Sequence, residues 1–100
     1  MRSAEILFRE DENMISKEIT ITNSTGLHAR PAAVFVSTAS KFQSDLFIKK
    51  DQKKVNAKSI LAVLALGITK DTEITLTAEG PDEEDAIAAI LALVEANFNE

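Results

Sequence analysis

One hundred residues, 45% of them hydrophobic, with a net charge of −5, describe a single small acidic globular domain. That charge argues against wholesale nucleic-acid binding, and the absence of cysteine excludes disulfides and thiolate metal sites. No apolar run reaches the length of a membrane span, and the N-terminus lacks the basic-then-apolar layout of a signal peptide, so a cytoplasmic protein without membrane insertion is expected.

Residues 1–13 carry alternating charge and one apolar cluster, Ile6-Leu7-Phe8. They read as an extension outside the main domain, a loose arm or a short added helix, with the domain itself over 14–100. "KEITITN" alternates Ile19 and Ile21 with polar neighbours, the pattern of a half-buried strand. After Gly26 the spacing turns helical, with Ala32, Phe35, Val36, Ala39 and Phe42 on one stripe. "SDLFIKK" and "KKVN" predict two strands around a turn at Asp51-Gln52, where the glycine usual in so tight a turn is missing. "SILAVLAL" predicts a short helix with Ser59 as its N-cap and Gly67 just past its end. "TEITLTAEG" alternates again, placing Ile74, Leu76 and Ala78 on one face. The last helix is read with Pro81 and four acids in its first turn, where they suit the positive end of the helix dipole. Its apolar face is Ile87, Ile90, Leu91, Val94 and Phe98. The order strand–helix–strand–strand–helix–strand–helix predicts an α+β sandwich, an antiparallel sheet with helices on one face.

Two charge runs stand out. Lys49, Lys50, Lys53, Lys54 and Lys58 make a basic stretch, and Glu79 with Asp82, Glu83, Glu84 and Asp85 an acidic one. Both read as solvated surface.

The sole histidine, His28, lies in "GLHARPAA" at or beside the N-cap of a helix starting near Ala29. The first N–H groups of a helix have no intrahelical partner and form a natural anion site. Arg30 adds a permanent charge and a forked donor suited to phosphate. Pro31 lacks an N–H, a harmless loss in the first turn, and stiffens it. A nucleophilic imidazole must be neutral, and the positive end of a helix disfavours its protonated form. The local chemistry therefore suits reversible phosphorylation on His28, against the plainer reading of a surface histidine that caps a helix. A metal site is poorly supported, since no second histidine and no cysteine exist. A Ser-His-Asp hydrolase is equally poor, because no nucleophile-elbow pattern is present. No cofactor is expected.

"TGLHARPAAVFV" followed by "VNAKSILAVLALGI" resembles HPr, the histidine-containing phosphocarrier family of the bacterial phosphoenolpyruvate:sugar phosphotransferase system. The resemblance runs from about Ile19 to the C-terminal helix. It implies an open-faced β-sandwich, a four-stranded antiparallel sheet with three helices on one face. It implies that His28 is the phosphoryl acceptor, through Nδ1, with Arg30 as its charge partner and the Ala29 amide beside it. It implies a carrier rather than an enzyme, with phosphorylated Enzyme I as donor and A domains of the sugar-specific Enzymes II as acceptors. This chain departs from the family pattern at Gln52 and Ala62, where glycine is common, and at Leu61 and Leu64, where methionine is common.

The helix after Ser59 is too apolar to bury every side. The pattern allows two arrangements, a wider buried face or Val63 and Leu66 inward with Ile60, Leu61 and Leu64 facing out as a contact patch, and the resemblance favours the second, with the patch as a docking surface. Capping is the default role of Ser59. In the regulated branch of the resembling proteins the serine of "NAKSI" is also phosphorylated by an HPr kinase/phosphorylase, favouring a catabolite-control repressor as partner. Phosphate there adds about −1.5 to −2 charge beside the apolar patch. The alternative is a regulatory paralogue close to the catabolite-repression HPr, which acts through the serine alone and lacks the histidine. A third reading is an adaptor that binds partners without phosphate. A monomer is expected.

Overall fold

The computed structural model describes residues 7–11 and 14–99. In chain order its elements are β1 (Leu7–Asp11), β2 (Met14–Ile21), α1 (Ala29–Ala39), β3 (Asp45–Lys50), β4 (Lys53–Asn56), α2 (Ile60–Ala65), β5 (Thr72–Glu79) and α3 (Glu83–Glu95), followed by a 3-10 turn at Asn97–Asn99. The expected antiparallel sheet and its three helices are present as an open-faced α+β sandwich. Within the sheet, whose order is β1-β2-β5-β3-β4, the alternation of β2, β5 and β3 does the sorting. Ile15 lies opposite Ala78, and Ala78 opposite Leu46; Ile19 lies opposite Ile74, and Leu76 opposite Ile48. All seven side chains are buried, forming the sheet's contribution to the core. Phe35 and Ala32 of α1, Val63 of α2, and Ile87, Ile90 and Val94 of α3 close over them. On the other face Ser16 and Thr77, directly opposed, join their hydroxyls at 3.2 Å.

The extension does not follow the expected arm or helix. Leu7–Asp11 is a strand, with Phe8 opposite Ser16 and Arg9 opposite Ile15. The physical reason is the open ladder of β2, whose N–H and C=O groups reward any strand that lies along them. Ile6 of the apolar cluster lies outside the described residues.

Three boundaries also shift. Helix α1 ends at Ala39, so Phe42 lies in the turn beyond it, half-buried against the core. The helix closes in tightened turns, with the Ser40 N–H on the Val36 carbonyl, Lys41 on Thr38 and Phe42 on Ala39, and the chain beyond is then held by Asp82, whose carboxylate accepts the Gln43 and Ser44 N–H groups at 2.9 Å. At the other end α3 starts at Glu83, which leaves Pro81 outside and Asp82 at the cap position, with Glu83, Glu84 and Asp85 in the first turn. Phe98 is not on the helical stripe either. Asn97 and Phe98 adopt left-handed φ of 53° and 56°, which reverses the chain and returns the Phe98 ring to the core. The β3–β4 turn is as tight as expected, with Lys50 opposite Lys53. Asp51 takes the left-handed φ of 56° that glycine would otherwise supply, a conformation its short side chain tolerates.

Asp82 ties two distant segments. Its carboxylate accepts from the Ser44 hydroxyl as well as the two amides, and its own N–H donates to Ser44 Oγ at 3.2 Å. Bonds from the Ser44 hydroxyl and the Gln43 amide hold its carboxyl below the ordinary aspartate pKa; burial opposes them and the Ser44 amide adds to them. A folded-state pKa below the unfolded one contributes stability above the ordinary aspartate pKa, lost as pH falls through the lowered value. Asp82→Asn is therefore expected to lower the urea midpoint at neutral pH and to reduce its fall on acidification. Parallel midpoint-against-pH curves for the two proteins would remove Asp82 from the acid response.

Candidate functional site

The segment before α1 is built to present His28. Asn23 is buried and donates its side-chain amide to the Gly26 carbonyl at 2.8 Å, while the Gly26 N–H returns to the Asn23 carbonyl at 3.1 Å. Gly26 takes a φ of 62°, open to glycine at little cost. A Cβ there would sit 2.5 Å from the Ile68 carbonyl oxygen and 2.6 Å from Thr69 Cα. That closeness lets the next residue, buried Leu27, donate its N–H to the Ile68 carbonyl at 3.0 Å. The loop carrying the histidine is thus bonded to the chain leaving α2.

His28 follows as the N-cap of α1, with extended backbone at φ −68° and ψ −176°. Its carbonyl accepts the first helical bond from Ala32 at 2.9 Å. Its side chain makes no capping bond, so the imidazole is exposed and uncommitted to the helix. Ala29 and Arg30, also exposed, supply first-turn amides with no i−4 carbonyl to reach. Pro31 is buried beneath them and donates nothing. This arrangement can hold a small anion on or beside the ring, with the Arg30 side chain free to reach it.

Ser59 caps α2 as expected. It is extended at φ −111° and ψ 112°, and its Oγ accepts the Ala62 N–H at 3.3 Å. Val63 and Leu66 point inward, while Leu61 is 78% exposed and Ile60 and Leu64 are each 37% exposed. Gly67 follows at φ 63° and ends the helix. Helices α1 and α2 pack together, so the exposed histidine and this apolar patch belong to neighbouring elements. The basic stretch divides in two. Lys50 Nζ donates to the Leu66 and Gly67 carbonyls at 3.1 and 3.2 Å, a cation on the negative end of α2, and Lys58 Nζ donates to the Phe42 carbonyl at 2.8 Å. Lys54 Nζ lies 4.9 Å from the Phe47 ring centroid, and Lys49 and Lys53 are exposed surface.

Asn23 and Gly26 are positioning residues that the sequence reading passed over. Their signal is the turn-forming run Asn23-Ser24-Thr25-Gly26 directly before the histidine. Among the described residues no group of three His, Cys, Asp or Glu side chains is placed to hold a metal, and no helix is long and apolar enough to cross a membrane.

Comparison with known proteins matches residues 15–96 to the family described as "PTS HPr component phosphorylation site". The HPr-like protein Crh of Halalkalibacterium halodurans is 49% identical over 82 residues, 82% of this chain and 98% of that protein. Among solved structures, HPr-C-His from Thermoanaerobacter tengcongensis is 54% identical with a TM-score of 0.83, covering 85% of this chain and 96% of that one. Bacillus subtilis Crh, a dimer with a swapped domain, is 48% identical with a TM-score of 0.66, covering 77% and 88%.

Proposed function

The chain belongs to the HPr family of the phosphotransferase system, and on that premise we propose that it is a phosphoryl carrier whose acceptor is His28. The observation that carries the reading is the exposed imidazole at the N-cap of an eleven-residue helix, with no capping bond to occupy it. As the bond from phosphorus to the donor breaks, a ring nitrogen of neutral His28 forms the new P–N bond. Arg30 and the Ala29 and Arg30 amides offset the charge that arrives with the phosphoryl group. Transfer onward runs the same step in reverse, onto the acceptor's nucleophile, and the chain returns unchanged. It is thus a covalent intermediate rather than an enzyme. Enzyme I is the proposed donor and A domains of Enzymes II the acceptors, meeting the protein in the cytoplasm. Ile60, Leu61 and Leu64 give them an apolar surface next to the histidine helix.

The test is incubation with Enzyme I and phosphoenolpyruvate. One acid-labile phosphate per chain is expected. A chain that stays unphosphorylated with an active Enzyme I is not a carrier.

The likeness to Crh favours a second, regulatory reading, in which Ser59 is phosphorylated by an HPr kinase/phosphorylase and a catabolite-control repressor is the partner. His28 separates the two, since a carrier requires it. Both readings meet at Ser59, which precedes the apolar patch. Ser59→Asp keeps an N-cap acceptor, so stability should hold within about 1 kcal/mol. Its carboxylate must lose water when an apolar partner closes over it, at a cost of a few kcal/mol if unpaired. The saturation constant for this protein in Enzyme I-dependent phosphorylation should rise at least about tenfold, equivalent to about 1.4 kcal/mol. An unchanged constant at unchanged stability would leave Ser59 a cap only. For oligomeric state the reading is a monomer, unlike the B. subtilis dimer.

A further inference from the structure

The sheet has two ends, and both are finished with charge. At one end β4 is only four residues long and two of them are lysines, a short charged edge that resists strand addition. At the other end the family's region begins at residue 15, inside β2, so β1 is a strand added beyond it. Leu7, Phe8, Arg9 and Asp11 lie opposite Lys17, Ser16, Ile15 and Met14.

Uncovered, β2 would be a poor edge to leave in water. It is eight residues long with two charges, and Ile15, Ile19 and Ile21 line its core side. Its free N–H and C=O groups would accept any extended strand of matching geometry. Strand β1 makes a safer edge. Three of its five residues are charged, and its pairing shifts register between Arg9 and Asp11, an irregularity that bends a strand away from further partners.

The strand that best fits the covered edge is the same strand from a second copy. Two β2 strands related by a twofold axis run antiparallel. With Ser16 opposite its own copy, Ile15 meets Lys17 and Met14 meets Glu18, and no like charges are opposed. Centring the pair on Lys17 or on Glu18 would set like charges face to face. The favourable register uses Met14–Glu18, and β1 occupies Met14–Lys17. We propose that β1 is an intramolecular guard: it occupies the β2 edge, excludes a second copy of this chain, and keeps the protein monomeric. The inference rests on strand pairing and is independent of the phosphocarrier reading.

The test is the mass of full-length protein in solution, measured by sedimentation over a wide concentration range. Phe8→Pro with Arg9→Pro releases β1, because one of two successive residues must point its N–H at β2. The unaltered chain is expected to stay monomeric. The released variant is expected to dimerise, with a dimer dissociation constant at least about tenfold lower. Circular dichroism during urea unfolding reports whether the variant keeps its fold. If it does not, Phe8→Gly with Arg9→Gly weakens the pairing without removing a donor. A folded released variant that stays monomeric wherever the unaltered chain does overturns the proposal. A dimeric unaltered chain, open aggregates in place of a dimer, or loss of cooperative unfolding in both variants overturns it as well, the last because β1 would then be a strand the fold cannot spare.

Discussion

His28→Ala is expected to abolish phosphoryl acceptance from Enzyme I and to leave the urea midpoint almost unchanged. The chemical half follows from composition: the chain has one histidine, so no second imidazole can take over. The structural half follows from the geometry. The side chain is exposed and makes no capping bond, and its backbone, which carries the first helical bond from Ala32, survives the substitution. A surface change with no lost contact alters stability by about 0.5 kcal/mol or less. Labelling from phosphoenolpyruvate, run beside urea unfolding, reads both halves together. Undiminished labelling would end the assignment of His28. Arg30→Ala should be milder, slowing transfer without stopping it, because the helix amides remain. An unaltered rate in that variant would remove Arg30 from the transfer step.

Gly26→Ala is expected to cause the largest loss of stability. Two costs combine. The left-handed φ of 62° disfavours any residue with a Cβ, by about 1–2 kcal/mol. The added carbon would also lie 2.5 Å from the Ile68 carbonyl oxygen and 2.9 Å from the Thr69 carbonyl carbon, both backbone atoms that cannot swing aside. Forcing a group into such a contact costs about 1–3 kcal/mol. Together these give a loss of about 2–5 kcal/mol, a large share of the total for a domain of this size. The loop can relieve the contact only by lengthening the Leu27–Ile68 hydrogen bond, which moves His28, so phosphorylation should slow as well. Gly67→Ala is the control. Its φ is 63°, but nothing lies within 4 Å of the added carbon, so only the backbone cost of about 1–2 kcal/mol applies. Equal urea midpoints for the two variants would show that the approach of Gly26 to Ile68 and Thr69 adds nothing to stability.

What the chain could announce by itself was whatever depends on neighbours a few residues apart. The alternation of Ile19 with Ile21 and of Ile74 with Leu76 and Ala78 follows from the two-residue period of a strand. The start of α1 at Ala29, Ser59 as a cap and Gly67 as a stop follow from the chemistry of helix ends. That α2 carries more apolar side chains than one stripe can bury is also legible in the chain, but the choice of Ile60, Leu61 and Leu64 as the outward set, over a wider buried face, was made by packing. Tertiary structure decided what joins distant residues. Asp82 holds Ser44 from 38 residues away, Gly26 is pressed against Ile68 and Thr69, and Phe98 re-enters the core only because two left-handed residues reverse the chain. Strand β1 is the clearest instance. Leu-Phe-Arg-Glu-Asp has no alternation to mark it as a strand, and it becomes one because β2 offers an unpaired ladder beside it. Local pattern reports the preference of a segment, whereas pairing partners, close approaches and chain reversals are settled by the surfaces that packing brings next to it.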